Sequence, residues 1–385
     1  MQTNPIMRKG LAVGIILLFV GIGIIPTSAQ NREKSSQQQL RGHWLYVGGS
    51  GPGNYTRIQD AINASSDGDT VFVYSGLYYE NIVIPKSIRL IGESKNTTII
   101  EANISYYGFL IFLESSNITI SGFTLGFYVN TTYYNIIICD DFGNRQNITI
   151  SNNILRGNNS NGIVLFQCDF CTIAQNNFYL NYGDSISLYF SKNCVITNNL
   201  IKKSQNLTGG IYLNDISNST VSNNSIMATS SGLMLNGGYN NIISNNYFYN
   251  TGVAIWGDGS HNNSILSNYI DNPVWTNWYS SEVFGIRMQS NYYDIVKGNT
   301  ISHCMFGIFL EGSFNNVISM NTFMKNKVHA RFYNNGFFSR NIWDQNYWGR
   351  PRVLPKPIFG IKDIYHRYPG FIEFDWHPAQ KPYDI

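Results

Sequence analysis

The sequence predicts an all-β protein, a single-stranded parallel β-helix of about 10 to 11 coils with about 22 residues in each coil. Three observations predict this fold. The phrase Ile-x-x-Asn-x-(Ile/Phe) recurs along the chain, a second phrase Gly-(Ile/Val/Leu)-x-(Leu/Ile/Met) lies between its copies, and helical periodicity is nearly absent. A short N-terminal helix and a C-terminal tail rich in proline and aromatic residues are expected to cap the two ends.

The first phrase sets the length of a coil. Successive copies are separated by 22 to 25 residues, except for one interval of 31, and their asparagines are Asn153, Asn176, Asn199, Asn224, Asn246, Asn268, Asn299, Asn321 and Asn346. Coils of short strands without a crossover helix can bury their inward side chains only against the neighbouring coils. Equivalent residues then stack about 4.8 Å apart. We therefore expect the asparagines to form a ladder of side-chain amides at a tight turn.

The N-terminal segment has the layout of an export signal. Arg8 and Lys9 precede an apolar run from Leu11 to Ile25, and small residues follow as far as Ala29. We interpret residues 1–29 as a signal peptide or an N-terminal anchor and residues 30–42 as a linker. A secreted or cell-surface protein is expected, and the many Asn-x-Ser/Thr sequons are consistent with a glycoprotein outside the cell.

Residues 43–102 are predicted to hold the N-terminal cap and the first coils. Ile58, Ala61 and Ile62 have helical spacing, and strand-like runs follow from Thr70 and Ile82. A helix at the first coil would cover the open end of the solenoid. Residues 103–350 are assigned to the β-helix, and residues 351–385, where the repeat stops, to a capping tail.

Charge restricts the possible partners. The net charge is only +3, and no basic stripe with interleaved aromatic residues follows the coils. Nucleic acid is therefore not expected as a partner. A polysaccharide or a cell-surface glycan fits better, and contact with a membrane is expected only through an uncleaved N-terminal segment.

The five cysteines are too few for a disulfide scaffold and do not have zinc-ligand spacing. Cys171 and Cys194 lie at the position that Ile118 and Ile148 fill in earlier coils, so they should be inward neighbours. Their expected Cα separation suits a disulfide bond. Two stacked buried thiols are the alternative.

The tail carries Asp363, His366, Asp375 and His377, which could in principle ligate a metal ion. A proline-rich cap with surface histidines is the favoured interpretation. We predict no metal site and no cofactor.

The chain resembles a known group of proteins. The capping helix, the segment "GDTVFV…GLYYENIVI…IRLIGE" and the coils, about residues 43–348, are similar to extracellular parallel β-helix proteins that bind or hydrolyse carbohydrate. This group includes pectate lyases, pectinesterases, polygalacturonases and the NosD β-helix domain. The resemblance implies a right-handed solenoid and, through NosD, raises copper. The nearest copper-ligand cluster is His303-Cys304-Met305, whose alternating directions in a strand argue against convergence.

A binding face is predicted from the Gly-phase strands, in which the second and fourth residues after glycine should point outward. The second-position column is Val164, Ser187, Tyr212, Met234, Ala254, Arg287 and Phe309, and the fourth is Phe166, Tyr189, Asn214, Asn236, Trp256, Gln289 and Glu311. Aromatic rings beside amide and guanidinium groups are suited to holding sugars. A solvated sheet with aromatic residues of high strand propensity is the alternative.

An insertion lies next to this face. The 31-residue interval contains "DNPVWTNWYSSEVF", directly before the Gly285 strand, and His261 and Asp258 follow the preceding strand at the other edge. Exposed tryptophans in a loop are typical of interaction sites. The predicted substrate-binding residues are Tyr212, Asn214, Asn236, Trp256, Trp275, Trp278, Arg287 and Gln289. Alternatively, the loop tryptophans pack on the outside of the solenoid.

Catalysis is a weaker expectation. Asp258, Glu311 and Arg287 could serve a glycoside hydrolase or a polysaccharide lyase, although a surface ion pair would equally explain Arg287 and Glu311. The motifs of polygalacturonases and pectinesterases are absent. Three functions therefore remain: glycan binding, polysaccharide cleavage in the same groove, and a structural envelope or adhesion module.

Overall fold

The computed structural model describes residues 42–102, 108–127, 134–140, 143–203, 209–273, 283–333, 340–361 and 369–383. They form a parallel β-solenoid of about 12 turns, slightly more than the sequence predicts. The proposed signal segment and all but the last residue of the proposed linker lie outside the described residues. No helix within these ranges is long and apolar enough to cross a membrane.

Each regular coil contributes one strand to each of three stacks, and the paired strands in a stack are parallel. The first stack contains Trp44–Val47, Thr70–Val73, Arg89–Gly92, Thr119–Ser121, Thr149–Ser151, Thr172–Ala174, Val195–Thr197, Thr220–Ser222, Ile242–Ser244, Ser264–Leu266, Ile295–Lys297, Val317–Ser319 and Ile342–Asp344.

The second stack follows the asparagine turn. Its strands are Gly76–Tyr79, Thr98–Ala102, Thr124–Phe127, the start of Ile154–Phe166, Asn177–Tyr182, Leu200–Lys202, Ser225–Met227, Tyr247–Tyr249, Tyr269–Asp271, Thr300–Ser302, Thr322–Met324 and Tyr347–Trp348. The long strand Ile154–Phe166 continues into the third stack and pairs with the strands on both sides of it in each of the two stacks.

The third stack carries the predicted binding face. Its strands are Ile82–Ile84, Phe109–Leu113, Tyr134–Cys139, the end of Ile154–Phe166, Ile186–Tyr189, Gly209–Asn214, Ser231–Asn236, Val253–Asp258, Phe284–Gln289, Phe306–Glu311, Val328–Tyr333 and Lys356–Ile361. Arg145–Gln146 and Cys168–Asp169 form a small separate sheet.

Both ends of the described solenoid are covered. The helix Ile58–Ala64 buries Ile58, Ala61 and Ile62, as predicted. Two of its first amides, those of Ile58 and Gln59, donate to the Glu80 carboxylate at 2.8 and 3.0 Å. At the other end, the tail strands Lys356–Ile361 and Pro369–Asp375 pair antiparallel with each other and parallel with strands of the preceding coil. Capping leaves fewer unpaired strand edges for other chains to join.

The predicted asparagine ladder is confirmed. The backbone amide and Nδ2 of Asn246 both donate to Asn268 Oδ1 at 3.0 Å, and Nδ2 also donates to the Val221 carbonyl at 2.9 Å. This pattern repeats from Asn153 to Asn346, and all nine side chains are at most 2% exposed. The left-handed backbone belongs instead to the preceding residue, for example Asn223 with φ 57°.

A second ladder lies five residues earlier in each coil and was not predicted. At this position, a side-chain oxygen in each coil accepts a hydrogen bond from the backbone amide at the same position in the preceding coil. The accepting residues are Ser219, Asn241, Asn263, Asp294, Asn316 and Asn341. It ends on the Glu373 carboxylate, which accepts from the Asn341 amide at 3.0 Å. The first ladder ends on Asp375, whose Oδ2 accepts from the Asn346 amide at 2.9 Å, so both ladders terminate on carboxylates of the strand Pro369–Asp375.

Candidate functional site

The strands of the third stack alternate as predicted in the middle coils. In Gly209–Asn214, Ile211 and Leu213 are buried in the core, while Tyr212 and Asn214 are only partly buried and face outward. The parallel register carries this alternation from coil to coil. Outward side chains from stretches far apart in sequence therefore form one continuous surface, which we call the outer face.

The predicted columns of the outer face are wrong at one coil. Trp256 pairs with Met234 and Arg287, so it lies in the second-position column, and Asp258 joins the fourth, between Asn236 and Gln289. Ala254, which was expected to face outward, is fully buried. The prediction counts this coil from Gly252, as if it were the counterpart of Gly232, whereas the register places Ala254 opposite Gly232.

Trp256, Arg287 and Glu311 form the centre of the outer face. The guanidinium of Arg287 stacks over the Trp256 ring at 5.0 Å, and its Nη2 donates to Glu311 Oε2 at 2.8 Å. The ion pair between neighbouring coils, which was the alternative to a catalytic role for these two residues, is thus present. Trp256 Nε1 and Arg287 Nε are both shielded from solvent and have no hydrogen-bond partner among the described residues.

The fourth-position column supplies amides and carboxylates: Asn214, Asn236, Asp258, Gln289 and Glu311. Asn214 and Asn236 both donate through Nδ2 to the hydroxyl of Tyr212 at 3.4 Å. Asp258 and Glu311 are two coils apart, with Gln289 between them, which corresponds to about 10 Å between their Cα atoms. The column therefore presents acceptors and donors at regular intervals along the solenoid.

An aromatic stack borders this column and was not predicted as a unit. Tyr239, His261, Tyr292 and Phe314 lie face to face on successive coils, with centroid separations of 5.5, 4.8 and 5.7 Å and interplanar angles of 16°, 2° and 12°. Each of these residues follows a fourth-column residue by three positions. That regular spacing is the sequence signal that could have revealed the stack.

The opposite edge of the outer face is apolar. Phe284, Phe306 and Phe309 form a cluster outside the main core and are only 5 to 7% exposed. Arg287 and Arg331 lie over the Phe284 and Phe306 rings at 5.4 and 5.5 Å. The predicted loop residues Trp275 and Trp278 precede Phe284 in sequence but lie outside the described residues.

The cysteines and histidines do not form a recognisable metal site. Within the described ranges, no three side chains of His, Cys, Asp or Glu are placed to hold one ion. His303 Nδ1 lies 2.6 Å from Asp271 Oδ1, whereas Cys304 is fully buried. Cys171 and Cys194 are buried inward neighbours, as expected, but in this structure they are thiols and not a disulfide.

Comparison with known families identifies the group to which the chain belongs. Residues 128–282 and 274–353 match the family model described as "Periplasmic copper-binding protein (NosD)", and together these segments cover more than half of the chain. The chain belongs to the NosD family. In the described residues of this NosD-family protein, no three His, Cys, Asp or Glu side chains are placed to hold one ion.

Other similarities are more distant. The NosD-family protein is 33% identical over 87 residues to a pectinesterase/pectinesterase inhibitor of Arabidopsis thaliana, a match spanning 20% of this chain and only 16% of that relative. Its fold is similar to the A-module of the mannuronan C-5 epimerase AlgE6 of Azotobacter vinelandii, with 16% identity, a TM-score of 0.52, and coverage of 74% of this chain and 92% of that one.

A second solved structure has the same architecture. The exopolygalacturonase of Thermotoga maritima is 12% identical, with a TM-score of 0.54 and coverage of 71% of this chain and 84% of that chain. At such identities the similarity establishes the fold alone. The activity of the NosD-family protein must be argued from its own residues.

Proposed function

We propose that the outer face of the middle coils binds a polysaccharide or cell-surface glycan. The observation that carries the proposal is the arrangement of Trp256, Arg287 and Glu311, which combines an aromatic ring with a guanidinium and a carboxylate on the outer face. Apolar contact suits the C–H faces of a sugar, and planar polar groups suit its hydroxyls. The adjacent column of amides adds further polar partners.

A glycan lying along the solenoid axis would meet equivalent positions about every 4.8 Å. Successive sugar units could then contact Tyr212, Trp256 and the amides beside them, with the Tyr239–Phe314 aromatic stack along one side. The proposal keeps Trp275 and Trp278 as predicted binding residues. The protein would work outside the cytoplasm, which is supported by the signal-like residues 1–29 and by the periplasmic description of its family.

Affinity electrophoresis of the full chain against mannuronan, pectin and neutral glucans tests this proposal. Trp256→Ala should weaken binding about tenfold by removing ring contact. Tyr247→Ala is the matched control, since Tyr247 is an exposed aromatic residue of the second stack. Equal losses in both variants, or no binding to a broad glycan array, would contradict the proposal and favour a structural module.

Polysaccharide cleavage on the same face is the second candidate. Asp258 and Glu311 share a column two coils apart, with about 10 Å between their Cα atoms. An inverting glycosidase would need their carboxyl groups to lie roughly 6.5 to 9.5 Å apart. Release of reducing ends would indicate a hydrolase, and ultraviolet-absorbing unsaturated uronates a lyase. Loss of release in Glu311→Gln and Asp258→Asn, but not in Asp271→Asn of the second stack, would locate the reaction on the outer face.

A further inference from the structure

Four of the five cysteines form a continuous row inside the solenoid. Cys139 Sγ lies 2.9 Å from Cys168 Sγ, the Cys194 thiol donates to the Cys168 carbonyl at 3.3 Å, and Cys171 and Cys194 lie side by side on paired coils. All four side chains are at most 1% exposed. Cys304 is remote in sequence from this row, and its thiol accepts from Asn272 Nδ2 at 3.6 Å.

The row connects successive coils. The strand Tyr134–Cys139 pairs with the end of Ile154–Phe166, two residues before Cys168. Thr172 pairs with Val195, so Cys171 and Cys194 are direct neighbours on adjacent coils. Neighbouring parallel strands place equivalent Cα atoms about 4.8 Å apart, which lies within the Cα range of disulfides.

The second ladder of side-chain to backbone hydrogen bonds has no oxygen acceptor at Cys171 and Cys194, two members of the row. From Cys194 onward, each coil donates a backbone amide to a side-chain oxygen of the next coil, beginning with the Cys194 amide and Ser219 Oγ at 2.9 Å. Cys171 and Cys194 occupy the two preceding rungs. A thiol is a weak acceptor and cannot continue that pattern. A covalent bond would supply the missing connection between these coils.

A metal ion fits the row less well than disulfides do. Zinc and Cu(I) sites require several sulfur ligands arranged around one centre. Here Cys139 meets Cys168, and Cys171 lies beside Cys194 on the adjacent coil. In the described part of the chain, no three His, Cys, Asp or Glu side chains are placed to hold one metal ion. A linear row of four thiols divides naturally into two pairs.

We propose that the mature protein contains two disulfide bonds, Cys139–Cys168 and Cys171–Cys194, which cross-link three consecutive coils. In each pair, a cysteine thiolate attacks the disulfide of an external thiol-disulfide oxidoreductase and forms a mixed disulfide. The second cysteine thiolate displaces that protein, which leaves as a dithiol. Each new bond therefore passes two electrons and two protons to the oxidant.

Burial determines when this exchange takes place. Because the sulfur atoms are at most 1% exposed, an oxidoreductase reaches them before the coils close. The finished bonds are then shielded from soluble reductants. An oxidising extracytoplasmic compartment, which the proposed function also requires, is where such bonds persist.

Disulfide mapping of the full chain, exported to an oxidising compartment, tests the proposal. The protein is denatured without reductant, alkylated with iodoacetamide, digested and analysed by mass spectrometry. The expected result is that Cys304 alone is alkylated and that Cys139 is linked to Cys168 and Cys171 to Cys194. Alkylation of all five cysteines, or a local Cys168–Cys171 link within one turn, would overturn the proposal.

A stability measurement supplies an independent readout. Reductant included during thermal unfolding should lower the Tm of the wild-type protein by several degrees, since each bond restricts the unfolded chain. Cys304→Ser should retain this sensitivity to reductant, whereas the variant with serine at all four row positions should lose it. A wild-type Tm that is independent of reductant would count against the bonds. Neither readout depends on glycan binding.

Discussion

The guanidinium of Arg287 lies 5.0 Å from the centre of the Trp256 ring on the adjacent coil. Glu311, one coil further, accepts from the same guanidinium at 2.8 Å. Three coils are thus joined through side chains on the outer face. In the proposed glycan complex, a Trp256 ring already held by these contacts would reduce the entropic cost of binding.

Arg287→Lys should weaken glycan binding several-fold, while the free energy of unfolding changes by at most about 1 kcal/mol. Lysine keeps the charge but loses the planar group that stacks on Trp256. Isothermal titration and urea unfolding measure the two effects. Arg331→Lys is the control. Arg331 also stacks on an aromatic ring, but this ring belongs to Phe306, which lies two coils away from Trp256. A larger binding loss for Arg331→Lys would contradict the assigned centre.

Asp294 makes stability depend on pH. It is an acidic rung in the second ladder, and burial raises its pKa from 3.8 to about 6. The folded-state pKa of Asp294 exceeds its unfolded value. Below about pH 3.8 the carboxyl group is therefore protonated in both states, and its burial does not lower the free energy of unfolding. The penalty grows as the pH rises to 6 and is complete above that, reaching at most about 3 kcal/mol.

Asp294→Asn should therefore raise the free energy of unfolding at pH 7, with little gain at pH 4. Asparagine also suits the neighbouring rungs Asn263 and Asn316. Urea unfolding at both pH values checks the difference. The same gain at pH 4 and pH 7 would show that ionisation of Asp294 is not its cause.

Asp375 terminates the first ladder, and removing its carboxylate should loosen the tail. Its Oδ2 accepts from the Asn346 amide at 2.9 Å, Asn346 Nδ2 at 3.2 Å and Trp348 Nε1 at 2.9 Å. Asp375→Ala leaves these three buried donors unpaired, at a cost of about 3 to 5 kcal/mol. Limited proteolysis should show faster cleavage of the tail, whereas the exposed His377→Ala should behave like wild type. Unchanged cleavage of Asp375→Ala would disprove a capping role.

Asn224 tests the ladder in the middle of the solenoid. Its Oδ1 accepts both the amide and Nδ2 of Asn199 at 3.0 Å, and its own Nδ2 donates to Asn246 Oδ1. Asn224→Ala should reduce the free energy of unfolding by about 3 to 5 kcal/mol, since the buried partners lose their bonds. The outward-facing Asn177→Ala should cost less than about 0.5 kcal/mol. Similar losses in urea unfolding would refute a special role for the ladder.

The main sequence prediction succeeded because it used residues that must face the core. Asn153 to Asn346 recur at intervals of one coil, and the buried residues beside them, such as Ile243 and Ile265, set the register. The prediction of the columns on the outer face was less accurate. Gly252 was used as a phase marker, although a small residue of another type, Ala254, fills the equivalent position in that coil.

The second ladder shows a different limit. Asn241 and Asn263 look like ordinary loop asparagines among many others in this sequence. Their role depends on which backbone amide lies opposite each side chain, and that depends on the path of the turn. Only one half of the cysteine row, Cys171 and Cys194, was predicted from the sequence. Cys139 and Cys168 were missed because they meet diagonally across a coil of irregular length.

The sequence by itself determined the coil repeat, the inward and outward alternation of its strands and the capping helix, because these follow from local periodicity and burial. Only the tertiary structure decided which outward residues are neighbours, such as Trp256 with Arg287, and which carboxylates end the ladders. The physical reason is register. A side chain's neighbours lie a full coil away, so a shift of two residues in a single turn keeps its face but changes every contact it makes.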